Sequence, residues 1–210
     1  MDRAQLTRLL LVTAILYVIG FYFIGSAIKP GYSQLSNFVS EYNAAGTPWA
    51  STLTYAGYLA TSVLLSAFLV SAAPLVQVSG VSRLGFWLLW SVPASYFLAV
   101  IAPCDAGCPI EGSTSQDLHN FLAIVTYFGM GASIALVSLA RRFSAFKLRR
   151  IFMLLAGIAF PIVFIAMVQP EAAPWRGLLQ RSLDIALAIS LILTVWTLIP
   201  SGPQARKAVT

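Results

Sequence analysis

Apolar residues are grouped along this chain in six long stretches, separated by short polar segments. The stretches cover residues 6–28, 51–73, 84–102, 119–140, 151–168 and 182–199. Each is close to the ~20 residues with which a helix crosses the ~30 Å hydrocarbon core of a bilayer. None shows the alternation of apolar and polar residues that is typical of barrel strands. Because a segment in lipid must satisfy its own backbone hydrogen bonds, the pattern predicts an all-α membrane protein, a six-transmembrane-helix bundle.

The composition supports the same fold class. Of the 210 residues, 59% are hydrophobic and 10% are charged, whereas about 25% of the residues in soluble domains are charged. The first stretch is longer than the apolar core of a signal peptide, and no clear cleavage site follows it, so we expect a retained helix. The connections are short. We therefore expect one membrane domain over residues 1–200 and a polar cytoplasmic tail over 201–210.

Basic residues are divided unevenly between the two sides of the predicted bundle. With six spans both termini share one side, and that side holds ten of the 13 basic residues, namely Arg3, Arg8, Arg83, Arg141, Arg142, Lys147, Arg149, Arg150, Arg206 and Lys207. Lys and Arg mark cytoplasmic loops. The sequence therefore predicts cytoplasmic termini in a bacterial inner (plasma) membrane. The basic runs are expected to bind membrane lipids rather than nucleic acid.

Polar chemistry is concentrated on the opposite, external side, above all in the segment APCDAGCPIEGSTSQDLHN, residues 102–120. An external compartment is oxidising, so Cys104 and Cys108 are predicted to form a disulfide. The alternative is a metal site made of both cysteines, His119 and a carboxylate, but this spacing matches no common zinc pattern. We expect no metal and no other cofactor.

His119 is the only histidine in the chain and begins the fourth predicted span. One interpretation is structural: His119 lies at the membrane interface and Asp117 caps the helix. The other is chemical, since an imidazole titrates near neutral pH and serves as a general base or proton carrier. In that case Asp105 or Asp117 would orient the ring. The sequence leaves both interpretations open.

The first external connection reads KPGYSQLSNFVSEYNAAGTPWA. Its serines and Asn37 recur at i,i+4, so we expect a short amphipathic helix lying over the bundle. The hydroxyls of Ser36 and Ser40, with the Glu41 carboxylate, are candidate ligand-binding groups on the wall of a pocket. A serine nucleophile has little support, because the chain has no G-x-S-x-G motif.

Charged residues also occur where the sixth predicted span begins, in PWRGLLQRSLDIAL. Arg181 and Asp184 are three residues apart and are predicted to pair on one helix face. An ionisable residue inside a span indicates a functional site by default. Arg176 and Arg181 could hold a phosphate in the outer leaflet, since guanidinium groups bind phosphate through two parallel hydrogen bonds. The structural alternative is an ion pair that fixes helix packing.

These motifs together resemble the membrane family known as domain-of-unknown-function family 998. The similar features are YSQLSNFVSEY after the first span, Pro103-Cys104-Asp105 after the third, His119 opening the fourth and GLLQR opening the sixth. The resemblance implies a six-helix integral membrane protein and singles out Asp105, His119 and Arg181. It implies no particular activity. Membrane hydrolases that hold zinc through three histidines are excluded, because this chain has one histidine.

Two functions are compatible with this sequence. The first is a polar, acidic and histidine-containing pocket on the outer face, binding a lipid headgroup, a small ligand or a partner membrane protein. The second is a membrane-embedded hydrolase or transferase acting on a lipid-linked substrate at the outer interface, with His119 as the general base. Convergence of Asp105, His119 and Arg181 on one cavity would favour a site over separate structural roles.

Overall fold

A computed structural model describes residues 1–200, so the tail predicted over 201–210 lies outside the described residues. The regular secondary structure of this part of the chain is all helical, with no strand. Six helices are long and apolar enough to cross a membrane: α1 (Arg3–Ile28), α2 (Ala50–Ala72), α3 (Val81–Ile101), α4 (Thr114–Val137), α5 (Lys147–Met167) and α6 (Arg176–Leu198). The chain is an integral membrane protein, and the prediction of an all-α, six-helix bundle is confirmed at this level.

Three helices begin four to six residues before the predicted spans, because their first turns are polar. The clearest case is α4, which starts at Thr114 with Ser113 as its N-cap. The Ser113 hydroxyl accepts a hydrogen bond from the Gln116 amide over 3.2 Å, satisfying one of the free donors of the first turn. The prediction of Asp117 as the cap is therefore wrong. His119 lies inside the helix rather than at its start.

Each helix packs against the next, and α1 returns to α6, so the six helices form a closed ring. Two helices are irregular: α2 contains a π-helical turn over Leu53–Leu59, and α3 is interrupted between Leu88 and Ser91. Apolar side chains fill the interior of the ring and also cover its outside. This is the distribution expected where lipid, rather than water, surrounds the helices.

A pair of glycines brings α4 and α5 into backbone contact near the middle of the bundle. A Cβ atom at Gly131 would lie 2.7 Å from the Gly157 carbonyl oxygen, and one at Gly157 would lie 2.7 Å from the Gly131 carbonyl oxygen. Small residues allow such close approach between membrane helices. Pro161 follows one turn later in α5, where it removes a backbone hydrogen bond. Beyond this glycine contact the two helices line a cavity.

Connections 29–49, 102–113 and 168–175 meet at one end of the bundle, here called the cap end; the opposite end, with the arginine-rich 138–146 connection, is the basic end. The first connection was expected to form one amphipathic helix. It instead forms a turn, in which the Asn37 amide bonds the Ser33 carbonyl over 2.8 Å, and then a 3₁₀-helix over Val39–Asn43. The side chain of Tyr42, a residue of this 3₁₀-helix, is fully buried against Gly25 of α1.

Candidate functional site

Arg181, in the second turn of α6, holds the first connection to the bundle. Its two terminal nitrogens donate to the carbonyls of Gln34 (2.9 Å), Asn37 (3.2 Å) and Gly177 (2.9 Å) and to the hydroxyls of Tyr32 (2.6 Å) and Tyr42 (3.3 Å). A guanidinium group offers five donors in a planar fork, which suits such a set of acceptors. Arg181 was predicted to bind a phosphate, but both of its terminal nitrogens are already hydrogen-bonded within the chain.

Arg176, at the start of α6, binds the same connection through a second set of contacts. Its Nε donates to the Ser36 carbonyl over 2.9 Å, and its Nη2 lies 3.2 Å from Glu41 Oε1 in an ion pair. Glu41 also accepts hydrogen bonds from the Phe38 amide and the Asn37 side chain. Ser36 and Glu41, both predicted to bind a ligand, thus hold the connection against α6.

Two titratable groups of the first connection have shifted pKa values because they are buried. Burial lowers the pKa of Lys29, whose ammonium donates to the Tyr42 carbonyl and the Thr47 hydroxyl; the nearby Glu41 opposes the shift. Burial raises the pKa of Tyr32, which keeps its phenol neutral and able to donate to the Phe38 carbonyl over 2.9 Å. Through these hydrogen bonds both side chains stabilise the first connection.

Asp184 does not form the predicted pair with Arg181. Its Oδ2 instead accepts a hydrogen bond from the Tyr22 hydroxyl of α1 over 2.9 Å. The Tyr22 and Tyr96 hydroxyl oxygens are 3.0 Å apart. Because the Tyr22 proton is directed to Asp184, Tyr96 of α3 is the donor in that second bond. The result is a polar chain linking α6, α1 and α3 inside the bundle.

Asp105 closes the 102–113 connection onto α4. Its carboxylate accepts from the Ser113 amide (2.7 Å) and the Ser113 hydroxyl (2.8 Å), and these two bonds hold the pKa of Asp105 below its usual range. The Asp105 amide donates to the Gln116 side chain over 2.7 Å. Asp105 therefore stabilises the start of α4. Asp117, in the first turn of that helix, is exposed.

The His119 ring is oriented by the backbone rather than by a carboxylate. Its Nδ1 lies 2.8 Å from the Ala102 carbonyl oxygen. Because a carbonyl oxygen only accepts, Nδ1 must carry a proton, and Nε2 is the acceptor in the neutral ring. The hydrogen bond at Nδ1 thus goes to a carbonyl, while the Asp105 carboxylate, predicted to orient the ring, is bonded to Ser113. Nevertheless, the ring is held in one tautomer, as a general base requires.

Cys104 and Cys108 lie at disulfide distance, with Cα atoms 5.1 Å apart and their sulfurs bonded. The Ser40 hydroxyl is 3.3 Å from the Cys108 sulfur. The three protein ligands of the alternative metal hypothesis are close together, since ligand atoms of both cysteines and His119 lie within 4.8 Å of one another. In the oxidised pair neither sulfur is a thiolate, which is the form that binds zinc.

A cavity of about 830 Å³ occupies the cap-end half of the bundle. Its wall on α4 consists of residues between 119 and 130, and its wall on α5 begins at Phe164, so the cavity lies on the cap side of the Gly131–Gly157 contact. Most of this wall is apolar. Ligand sites typically have volumes of about 300–1,000 Å³ with a few polar groups, so this cavity has the size and character of a ligand site.

The polar groups of the cavity wall come from all parts of the cap-end half. They are Tyr22, Ser40, Tyr58, Ser95, Tyr96, His119, Asn120, Thr126, Tyr127, Gln169, Arg176, Gln180 and Asp184. Gln180 links Tyr127 to the first connection: its Nε2 donates to the Tyr127 hydroxyl over 2.9 Å, and its Oε1 accepts from the Val39 amide over 2.6 Å. A second cavity of about 340 Å³ lies between α1 and α6. Tyr22, Tyr96 and Asp184 line both cavities.

Comparison with known families matches residues 11–197 of the chain, which include most of α1 and α6 and all of the helices between them, to the family described as "Protein of unknown function (DUF998)". The chain belongs to this family. The resemblance found in the sequence is thereby confirmed. Searches of curated proteins and of solved structures found no match to the chain.

In this DUF998 protein most of the residues singled out by the sequence belong to one of two groups, and Arg176 belongs to both. Ser40, Cys108, His119, Arg176 and Asp184 lie on the wall of the large cavity. Ser36, Glu41, Asp105 and Arg181 hold connections in place through the hydrogen bonds described above. Of Asp105, His119 and Arg181, the structure therefore places only His119 on the wall of this cavity. Gln180 was missed although it belongs to the GLLQR motif, and the tyrosines of three separate helices carried no local signal.

Proposed function

We propose that this protein binds a lipid or another amphipathic small molecule in the large cavity. The observation that carries the proposal is the combination of a volume of about 830 Å³, an apolar wall and a few polar groups. A ligand with an acyl chain and a polar head matches that division. Of the ligand classes that the sequence suggests, this one agrees best with the cavity, while the engaged donors of Arg176 and Arg181 weaken the case for a phosphate clamp.

Entry from the bilayer is supported by residues that belong both to the cavity wall and to the outer surface. Ile124 and Phe128 of α4 and Ile165 of α5 line the cavity, yet 49%, 45% and 51% of their surfaces are exposed. In a membrane these surfaces contact acyl chains. We therefore propose that a lipid chain enters between α4 and α5 on the cap side of the Gly131–Gly157 contact, where the exposed side chains that these two helices contribute to the cavity wall are apolar.

The proposal includes the orientation in the membrane. The cap end faces the outside of the cell and both termini lie in the cytoplasm, in a bacterial inner membrane. Support comes from the basic residues of the described chain, since Arg83, Arg141, Arg142, Arg149 and Arg150 lie at or near the basic end. Cytoplasmic loops carry this excess of Lys and Arg. The ligand would then come from the outer leaflet.

Filling the cavity tests the proposal. Ala123 lines the cavity, whereas Ala132, on the same helix, is exposed and lies outside the cavity wall. Native mass spectrometry would measure binding of three probes with the same C18 chain, namely oleylamine, oleyl alcohol and oleate. We expect Ala123→Trp to lose the bound probe and Ala132→Trp to retain it. Equal retention by both variants, or no binding by the unmodified protein, would contradict the proposal.

A second candidate function is an enzyme acting on a lipid-linked substrate at the outer interface. One observation favours it: His119 lies on the cavity wall with Nδ1 bonded to the Ala102 carbonyl, so Nε2 is free of that bond and can act as a general base. Hydrolysis of a long-chain p-nitrophenyl ester would test it. Activity lost in His119→Gln, with probe binding unchanged, supports the enzyme; equal rates contradict it.

A further inference from the structure

We infer that the ligand of the large cavity carries a cationic headgroup, an ammonium group, bound by the Asp184 carboxylate among the rings of Tyr22, Tyr96 and Tyr127. This inference rests on the proposed function, since it names the class of the amphiphile. The charges on the cavity wall, the depth of Asp184 and the side chains around it all favour such a headgroup.

Within the described chain, one basic and one acidic side chain line the large cavity, namely Arg176 and Asp184. Arg176 is paired with Glu41 over 3.2 Å, so its charge is balanced from the cap. Arg181 lies one turn before Asp184 and interacts with it through charge, but its hydrogen bonds go to Gly177 and to carbonyl and hydroxyl oxygens of the first connection. Asp184 thus meets the cavity as a carboxylate whose hydrogen-bond donor is the neutral Tyr22 hydroxyl.

The position of Asp184 makes this charge costly. It lies eight residues after Arg176, the first residue of α6, which corresponds to about 12 Å along the helix. Ionisable residues at such depth pair with one another or mark the path of a substrate or ion. A ligand cation would supply the balancing charge directly. An anionic headgroup would instead add repulsion, and a neutral one would leave the carboxylate as it is.

The aromatic surroundings favour an ammonium group over a metal cation. Tyr22 and Tyr96 are joined to Asp184 through their hydroxyls, and Tyr127 is fixed by Gln180 over 2.9 Å. All three rings line the large cavity together with Asp184. Aromatic faces attract ammonium ions through the ring quadrupole, and cages of aromatic rings recognise alkylated amines. One carboxylate with three tyrosines therefore suits an amine that brings its own apolar chain.

The test compares affinities of the three C18 probes, which differ in headgroup charge at pH 7. Oleylamine is cationic, oleyl alcohol is neutral and oleate is anionic. We expect the unmodified protein to bind oleylamine about ten-fold more tightly than oleyl alcohol, and oleate least, because one favourable charge contact is of that order. In Asp184→Asn the preference should fall to about two-fold or less. Asp117→Asn, a matched change at an exposed carboxylate, should keep the full preference.

The outcomes separate the inference from the proposed function. If Ala123→Trp abolishes binding but the unmodified protein binds all three probes equally, the ammonium inference is overturned while the proposed function stands. A preference for oleate overturns it as well. If none of the probes binds, both fail. The comparison of probes on the unmodified protein needs no variant, so it remains decisive even if Asp184→Asn does not fold.

Discussion

The Arg181 guanidinium donates a hydrogen bond to the Tyr32 hydroxyl over 2.6 Å, joining the sixth helix to the connection that follows the first. The two residues are 149 positions apart in the chain. The same guanidinium also donates to the Gln34 and Asn37 carbonyls, which lie in an irregular segment where no helix supplies their hydrogen bonds. The Arg181 side chain thereby holds the first connection against α6 at the cap end of the bundle.

Replacing Arg181 should destabilise the protein even when the charge is kept. Lysine has a single charged nitrogen and lacks the planar guanidinium group whose two terminal nitrogens bond several oxygens at once. We expect Arg181→Lys to lower the free energy of unfolding by about 2–3 kcal/mol, as for lost hydrogen bonds to a charged group. Thermal unfolding in detergent measures this. The exposed Arg142 provides the control, since Arg142→Lys should leave the midpoint unchanged; an equal effect of both would contradict the assignment.

Gly177 should not tolerate a methyl group. A Cβ atom there would lie 2.7 Å from the Gln34 carbonyl oxygen and closer still to that of Asn37. We expect Gly177→Ala to cost about 1–3 kcal/mol, the usual range for overpacking. Gly20 is the matched control, because a Cβ atom there meets nothing within 4 Å. Gly20→Ala should stabilise α1 by about 0.5–1 kcal/mol. If both substitutions destabilise the protein equally, the close contact at Gly177 is not the cause.

The 102–113 connection should loosen in acid. Because the two Ser113 bonds lower the pKa of Asp105 in the folded protein, ionised Asp105 stabilises the fold above its ordinary pKa of about 3.9. That stabilisation is lost as the pH falls through the lowered value. Hydrogen exchange of residues 102–116 should therefore rise in strong acid. Asp105→Asn should show rapid exchange already at pH 7, whereas Glu111→Gln, at an exposed position, should not.

Removing the disulfide should have a modest effect on stability. Cys104 and Cys108 close a loop with a sequence separation of four, and the chain-entropy relation gives about 2 kcal/mol for so short a loop. We expect the Cys104→Ser, Cys108→Ser double variant to lose about this much in thermal unfolding. Reduction of the unmodified protein should reproduce the loss. If alkylation under native, non-reducing conditions labels both thiols, the pair is not oxidised and the expectation fails.

The proposed orientation predicts which residues are reached from outside the cell. Ile110 lies at the cap end with 71% of its surface exposed, and Ser144 is exposed at the basic end. On a background without the native cysteines, a membrane-impermeant maleimide should label Ile110→Cys in whole cells. Ser144→Cys should react only after the membrane is opened. The reverse labelling pattern would contradict the proposed orientation and place the cap end in the cytoplasm.

Much of the candidate site could not be predicted from the sequence, for two different reasons. Helix α4 begins at Thr114 rather than residue 119 because capping by Ser113, not hydropathy, sets its first turn. Asp184 pairs with Tyr22, 162 positions away, rather than with Arg181 three positions away. The first partner is local, because Ser113 caps an amide only three residues away, and a span predicted from hydropathy does not take such a cap into account. The second partner was selected by three-dimensional proximity, and a rule based on spacing within one helix cannot detect a partner on another helix.

The sequence by itself determined that this is a six-helix membrane protein and that it resembles the DUF998 family. Hydropathy sums over about 20 residues of one segment, so crossing the bilayer is a local property that needs no knowledge of neighbours. Only the tertiary structure decided that Arg176 and Arg181 hold the cap and that Asp184 faces a cavity with three tyrosines. Charge balance and cavity shape depend on side chains from several helices, and only packing brings these together.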